Sequence, residues 1–138
     1  MEETKQMILM ENLKRLVSGE AAPCYLTSRG FEYGKAEGSR IDLDGLEPVI
    51  EFIHTHLRRT ESINTSQTSY GLKSIYERCN REQISNGLWI AAMLACGYMC
   101  RPAEPFSTEV HFNVYSVSRR GEHKITGGIA LEKEEKRV

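Results

Sequence analysis

The sequence predicts an α+β fold, namely a mostly helical single domain with a central αα-hairpin over residues 69–100 and a C-terminal β-hairpin. The first observation is the run Ser85–Cys100, which is apolar on nearly every side. The run is broken by Gly97 and is shorter than the roughly 18 apolar residues that a bilayer crossing requires, so it predicts a helix buried in a core. The other two observations are an amphipathic helical pattern before this run and a strand-like alternation at 110–115 after it.

The N-terminal part of the chain predicts one helix followed by short strands. From about Glu3 to Val17 the apolar residues fall on one stripe of a helix, and Ser18-Gly19 is its predicted end. Residues 21–41 contain Pro23 and three glycines around short aromatic runs. This pattern is typical of short strands or of an irregular hairpin.

The middle of the chain predicts two more helices. Asp44 and Glu47 resemble a capping pair, and the apolar residues after them repeat at helical intervals, which predicts an amphipathic helix from about Gly45 to Arg59. The polar segment Thr60–Thr68 is predicted to be a linker. A hydroxyl residue at position 68 or 69, with Ser69 preferred, then caps a third helix. The apolar stripe of this helix comprises Leu72, Ile75, Tyr76 and Cys79.

The C-terminal part predicts a hairpin and a tail. The segment Arg101–Pro105 breaks the buried helix, and apolar residues then alternate with polar ones over 110–115, as in a half-buried strand. A turn at residues 119–122 and the run Lys124–Leu131 predict the return strand. We therefore expect one globular domain over residues 1–131 and a charged tail over 132–138.

Composition limits the classes of partner. The chain has 138 residues, enough for one compact domain, and 18 basic against 19 acidic side chains give a net charge of -1. Such a balance supplies no general attraction to nucleic acid or to anionic lipid, so no membrane partner is predicted. The chain opens with acidic residues and without a basic, apolar leader, which predicts a cytoplasmic protein with four reduced cysteines.

The chemistry-bearing residues do not form a recognisable site in the sequence. His54 and His56 lie two apart on a predicted helix, so their side chains project roughly 200° from each other and do not easily share a metal. Cys96 and Cys100 supply only half of a zinc site. No metal, cofactor or catalytic residue is therefore predicted. A small enzyme that uses His54, His56 or Cys24 remains an alternative.

A partner-binding surface is predicted on the outer faces of the second and third helices. If these helices pack antiparallel, one basic patch results, with a solvated helix face as the alternative interpretation. Nucleic-acid binding by a helix-turn-helix-like regulator is also an alternative, although the buried second helix offers no polar side chains to base edges. The candidate binding residues are Arg58, Arg59, Tyr70, Lys73, Arg78 and Arg81. Aromatic residues near polar loops are further candidate anchors, namely Tyr25, Phe31, Tyr33, Tyr70 and Tyr115.

Three spaced strings carry a resemblance. NTSQTSYGLKSIYERCN, ISNGLWIAAMLACGY and HFNV, between Ile63 and Val114, together resemble a pattern found in small proteins of bacteria, phages and mobile elements. That group has no assigned activity. The resemblance therefore implies at most a cytosolic accessory protein that acts by binding.

From these observations we expect a non-catalytic accessory protein that binds another protein through a surface built around the central helical hairpin. If the chain comes from a phage, inhibition of a host or defence complex is the expected use of such a binder. The oligomeric state is left open by the sequence.

Overall fold

The computed structural model describes residues 2–116 and shows an α+β fold with four α-helices and two small antiparallel sheets in that range. A short 3₁₀ turn, Leu43–Gly45, precedes the second helix. The other elements, in chain order, are α1 (Glu2–Ser18), β1 (Cys24–Thr27), β2 (Gly30–Tyr33), α2 (Leu46–His56), β3 (Leu57–Asn64), α3 (Ser69–Asn80), α4 (Asn86–Ala95), β4 (Cys100–Pro102) and β5 (Val110–Ser116).

Helix α4 is the centre of the molecule. It packs against α1, α2, α3 and both strands of the β1–β2 hairpin. The predicted buried helix is thus confirmed, and Trp89 in its middle has no exposed surface. The predicted cap at Ser85 is confirmed too, because its hydroxyl accepts a hydrogen bond from the Leu88 amide at 3.0 Å. Gly97, with φ +87°, turns the chain after the helix.

An aromatic cluster joins α2, α3 and α4. The ring of Phe52 meets the ring of Tyr76 edge-on at a centroid distance of 5.2 Å, and both rings lie 6.0 to 6.3 Å from the indole of Trp89. The Tyr76 hydroxyl reaches out of the cluster and donates to Glu82 at 2.8 Å. Burial, together with this carboxylate, raises the pKa of Tyr76 to about 12.

The three-stranded sheet has the order β3-β5-β4, and both of its pairings are antiparallel. The alternation predicted for β5 is confirmed, since Val110, Phe112 and Val114 are buried. The β3–β5 register shifts between Arg59 and Asn64, which leaves a bulge in β3. Side-chain amides take over the hydrogen bonding at this irregularity. Asn64 Nδ2 donates to the Val114 carbonyl at 3.1 Å, and the Asn113 side chain also bridges to backbone there.

The β1–β2 hairpin confirms the expectation of short strands in the region 21–41. Its buried Glu32 carboxylate organises the loop that follows. Oxygen Oε1 accepts hydrogen bonds from the Thr27 hydroxyl at 2.8 Å and from the Glu37 and Gly38 amides at 2.9 Å each. Burial by itself would raise the pKa of Glu32, but these hydrogen bonds and the nearby Arg29 lower it overall.

Two predictions about the extent of elements in the middle of the chain are wrong. The second helix ends at His56 and not at Arg59, because the chain becomes extended at Leu57 and pairs with β5. For the same reason the predicted linker Thr60–Thr68 is strand up to Asn64.

The predicted caps are also displaced. Asp42, not Asp44, accepts the capping hydrogen bond of the 3₁₀ turn, and Gly45, which precedes the first residue of α2, provides no side-chain cap. Thr68, rather than Ser69, caps α3 by accepting from the Gly71 amide at 3.4 Å.

The finer fold predictions are met only in part. Helices hold 46% of the described residues, so the fold is mixed rather than mostly helical. The range predicted as an αα-hairpin does contain two consecutive helices, α3 and α4, but its last residue, Cys100, begins β4. The predicted return strand and the tail lie outside the described residues, and the single domain stays a prediction.

Candidate functional site

The loop between β4 and β5, residues 103–109, presents an aromatic side chain to solvent. Phe106 is 78% exposed, the highest value among the large hydrophobic side chains of the described residues. Its backbone has φ +61°, in the left-handed region that side-chain-bearing residues rarely occupy. The ring rests edge-on against Tyr33 of β2, with centroids 5.5 Å apart. Such backbone outliers concentrate at functional sites, which makes Phe106 the first candidate for an interaction surface.

Hydrogen bonds within the loop fix its path. The Ala103 amide donates to the Glu109 carbonyl at 3.0 Å and closes the loop at its base. Nearer the tip, the Ser107 amide donates to the Glu104 carbonyl at 2.9 Å, and the Ser107 hydroxyl accepts from the Glu109 amide at 3.1 Å. The exposed ring of Phe106 is therefore carried by a closed loop.

The buried Asn86 connects this loop to the rest of the fold. Its Nδ2 donates to the Thr108 carbonyl at 3.2 Å and to the Arg29 carbonyl at 2.8 Å. Gly30 permits this approach, because a Cβ there would collide with both the Thr108 carbonyl and the Asn86 amide. The Ser69 hydroxyl, in addition, accepts from the Val110 amide at 3.3 Å. Ser69 and Asn86 thus hold the end of the Phe106 loop in place. They belong to the strings NTSQTSYGLKSIYERCN and ISNGLWIAAMLACGY of the sequence.

The basic candidate residues lie on two different elements. Arg58 and Arg59 are on β3, where the Arg59 guanidinium donates to the Gly97 carbonyl at 3.5 Å. Arg78 is exposed on α3, and Arg81 is the left-handed residue that ends this helix. A single basic face made of both groups stays a prediction.

Lys73 of α3 is occupied by a neighbouring carboxylate. Its ammonium lies 3.0 Å from Glu77 Oε2, and both side chains are largely buried. It also lies 5.7 Å from the ring centre of Tyr70, which is 42% exposed. Burial would raise the pKa of Glu77, but the Ile84 amide and Lys73 lower it overall. The Lys73 ammonium is thus paired within α3, and Lys73 is therefore a weak candidate for a phosphate contact.

The histidines and cysteines are distributed over separate places. His54 Nε2 lies 4.0 Å from Cys96 Sγ, whereas the ring of His56 stacks on Phe52 at a centroid distance of 4.5 Å. Cys24 lies on β1 opposite Tyr33. The structure therefore brings together His54 and Cys96, a pair that the sequence analysis did not propose.

The environments of the thiols do not favour thiolates. Burial raises the pKa of Cys96 to about 11 and, with a smaller contribution from the nearby Cys24, that of Cys100 to about 11. Burial also raises the pKa of Cys24. These thiols are protonated at neutral pH, unlike activated nucleophiles. Among residues 2–116, no group of three or more histidine, cysteine, aspartate or glutamate side chains is arranged to hold a metal.

The aromatic candidates from the sequence differ in how exposed they are. Tyr33 does lie at the exposed Phe106 ring and Tyr70 is exposed, but Phe31 is buried in the core and Tyr25 is half-buried. The side chain of Tyr115 is outside the described set. Phe106 itself was missed by the sequence analysis. The available signal was a large apolar residue inside EPFST, a short segment otherwise made of turn-forming and polar residues.

Comparisons with known proteins give no further guide: no family model matches the chain, and neither a curated protein nor a solved structure does. In the described range, none of the helices combines the length and the apolar character that a bilayer crossing requires.

Proposed function

We propose that this protein is a non-catalytic accessory protein that binds another protein, with Phe106 as the anchor of the binding surface and Tyr33 at its side. The observation that carries the proposal is that a phenylalanine ring is 78% exposed although the loop beneath it is fixed by hydrogen bonds. A partner that covers a ring held out in this way removes its apolar surface from water.

The energetics favour this residue as an anchor. Transferring a phenylalanine side chain from water to an apolar environment stabilises a complex by about 1.5 to 3 kcal/mol. Because the loop is closed by hydrogen bonds before a partner arrives, little backbone freedom is lost on binding. Aromatic residues in such positions dominate the binding energy of many protein interfaces.

This proposal moves the binding surface away from the helical hairpin. Helix α4 is buried on nearly all sides, so only the outer face of α3 is left for a partner. On that face Tyr70 is less exposed than Phe106, and Lys73 is paired with Glu77. The β4–β5 loop therefore offers the stronger apolar anchor. That the partner belongs to a host or defence complex stays a prediction, which the identity of the partner decides.

Site-specific photo-cross-linking tests the proposal. In the full chain, Phe106 is replaced by p-benzoylphenylalanine, the protein is irradiated in its source cells, and the products are identified by mass spectrometry. We expect one cross-linked protein from position 106. The matched control carries the same photo-reactive residue at Glu47, which is exposed on α2, and is expected to give no such product. Identical products from both positions, or none from position 106, would contradict the proposal.

A pull-down with chains that carry no photo-reactive residue separates protein binding from nucleic-acid binding. It compares the parent chain with Phe106→Ala and with a variant in which Arg58, Arg59, Arg78 and Arg81 are all replaced by alanine. We expect the first variant to lose the partner and the second to keep it. Capture that is lost in the arginine variant, is removed by nuclease and falls steeply with salt would support the nucleic-acid alternative instead.

A further inference from the structure

Helix α1 presents two apolar side chains to solvent, outside the stripe that packs on the core. The inner face of the helix is fixed, since Leu13 is buried and Gln6 Nε2 donates to the Ala95 carbonyl of α4 at 3.0 Å. Ile8 lies two residues after Gln6 and therefore about 200° further round the helix, on the side away from α4. Its side chain is 55% exposed, and that of the neighbouring Met7 is 68% exposed. Packing within the fold accounts for neither side chain.

Polar side chains flank Ile8 symmetrically on this outer face of α1. Thr4 and Lys5 lie one turn before it. Glu11 and Asn12 lie one turn after it, and all four are exposed. Lys5 and Glu11 stand three residues from Ile8 on either side and carry opposite charges. Among residues 2–116 neither of them forms an ion pair, so both charges are available to a partner.

This order of charges is complementary to itself when a second α1 runs antiparallel. A two-fold axis at Ile8 reverses the helix direction, so the residue three positions before Ile8 lies level with the residue three positions after it in the other copy. Lys5 then lies across from Glu11 of the second copy, and the axis generates the same pair again. Packed helices are about 8 to 10 Å apart, a distance that these long side chains span. A parallel pair would instead place like charges level with each other.

We propose that this protein self-associates through the outer face of α1, as an antiparallel helix pair with Ile8 at its centre and Lys5 paired with Glu11 of the second copy. Contact between the two isoleucines removes apolar surface from water, and the two ion pairs set the direction of the helices. A single helix pair is small among protein interfaces, so the dimer is weak. The contact shares no residue with the Phe106 surface, and the two proposals are therefore tested separately.

Sedimentation equilibrium of the full chain measures this association. We expect the average mass to rise from the monomer value of 15.7 kDa towards that of a dimer as the protein concentration increases from about 10 μM to about 1 mM. Ile8→Lys places two like charges at the centre of the contact and is expected to weaken dimerisation about tenfold or more. The matched control Phe106→Lys adds the same charge at a more exposed apolar residue and is expected to leave dimerisation unchanged.

Charge reversal tests the direction of the two helices. Lys5→Glu and Glu11→Lys, each alone, bring like charges together across the axis and are expected to weaken dimerisation about fivefold or more. The double variant with both changes restores opposite charges and is expected to dimerise within about twofold of the parent. Lys35→Glu and Glu47→Lys, at exposed positions outside α1, make the same changes in net charge and are expected to have no effect.

Unaltered circular dichroism spectra verify that the variants fold. A chain that stays monomeric over the whole concentration range, a dimer that persists in Ile8→Lys, or a double variant as weak as the single ones would each overturn the proposal. Loss of the dimer in Phe106→Lys would overturn it too, because the contact would then lie on the Phe106 surface.

Discussion

At the scale of single residues, Phe106 combines two unfavourable features that are unrelated in origin. Its ring is exposed to water, and its backbone occupies the left-handed region at φ +61°. A left-handed conformation costs a residue with a Cβ roughly 1 to 2 kcal/mol, whereas glycine adopts it without that cost. The sequence therefore places a bulky residue where glycine would make the fold more stable.

A pair of substitutions separates the ring from the strain. Phe106→Ala and Phe106→Gly both remove the ring and its contact with Tyr33, but only glycine relieves the backbone. We expect the free energy of unfolding, measured with urea, to be about 1 kcal/mol higher for Phe106→Gly than for Phe106→Ala, after allowance for the greater freedom of glycine in the unfolded chain. Equal stabilities would show that the loop relaxes around position 106. Under our functional proposal neither variant captures the partner.

The difficulty of predicting this residue from sequence has a physical reason. Buried apolar residues reveal themselves by their periodicity along a helix or strand, or by a continuous apolar run such as the one around Trp89 in α4. An exposed aromatic residue in a loop has no such period, and its exposure depends on hydrogen bonds from Asn86 and within the loop, which join residues far apart in sequence. Tyr33 was identified because it is an aromatic residue near a polar loop, but nothing in the sequence linked it to Phe106.

At the scale of elements, the β1–β2 hairpin depends on an ionised carboxylate in its interior. Glu32 is only 8% exposed, and its oxygen Oε1 holds the Thr27 hydroxyl and two amides of the following loop. Because the folded pKa lies below the ordinary value of 4.5, ionised Glu32 stabilises the fold above that pH. This contribution is lost as the pH falls through the lowered folded pKa.

The pH dependence of Glu32→Gln tests this role. At neutral pH we expect the variant to be about 1 to 2 kcal/mol less stable than the parent, because its neutral amide is a weaker acceptor for the three donors. The difference should shrink as the pH is lowered below the ordinary value of 4.5 and through the lowered pKa of the Glu32 carboxylate in the parent. Glu47→Gln, on the exposed side of α2, is the control and is expected to follow the parent at every pH. A difference that stays constant with pH would show that shape, and not charge, explains the loss.

The sequence predicted the elements that have a strong apolar pattern or whose packing partners lie close along the chain. Helices α1 and α3 and strand β5 follow from their periodicity, and helix α4 follows from its continuous apolar run. Strand β3 does not, since Arg58, Arg59, Glu61 and Ser62 give it no apolar alternation and a bulge interrupts its register. Strand β3 depends on its pairing with β5, about 50 residues further along the chain. This long-range pairing also ends α2 earlier than the apolar pattern of the helix indicates.

At the scale of the whole molecule, the central position of α4 predicts that the described elements unfold together. Helix α1 packs on α4 and on β1, and its Leu13 is 1% exposed in the shared core. The hairpin, α2 and α3 pack on the same helix. The three-stranded sheet contacts α2 and α3, and its buried side chains belong to the same hydrophobic cluster as those of α4, which is the arrangement expected of a cooperative unit.

Two spectroscopic signals test this cooperativity and, with it, the prediction of a single domain. Trp89 fluorescence reports on the interior of α4, and far-ultraviolet circular dichroism reports on all helices, α1 included. We expect the two urea transitions to coincide.

Leu13→Ala, which leaves a cavity between α1 and α4, should lower the free energy of unfolding by about 2 to 5 kcal/mol and shift both transitions equally. If it shifted the circular dichroism transition while the fluorescence transition stayed in place, α1 would be a separately unfolding unit. The exposed neighbour Lys14→Ala, on the same turn, controls for changes in helix propensity, because its side chain contributes nothing to the core.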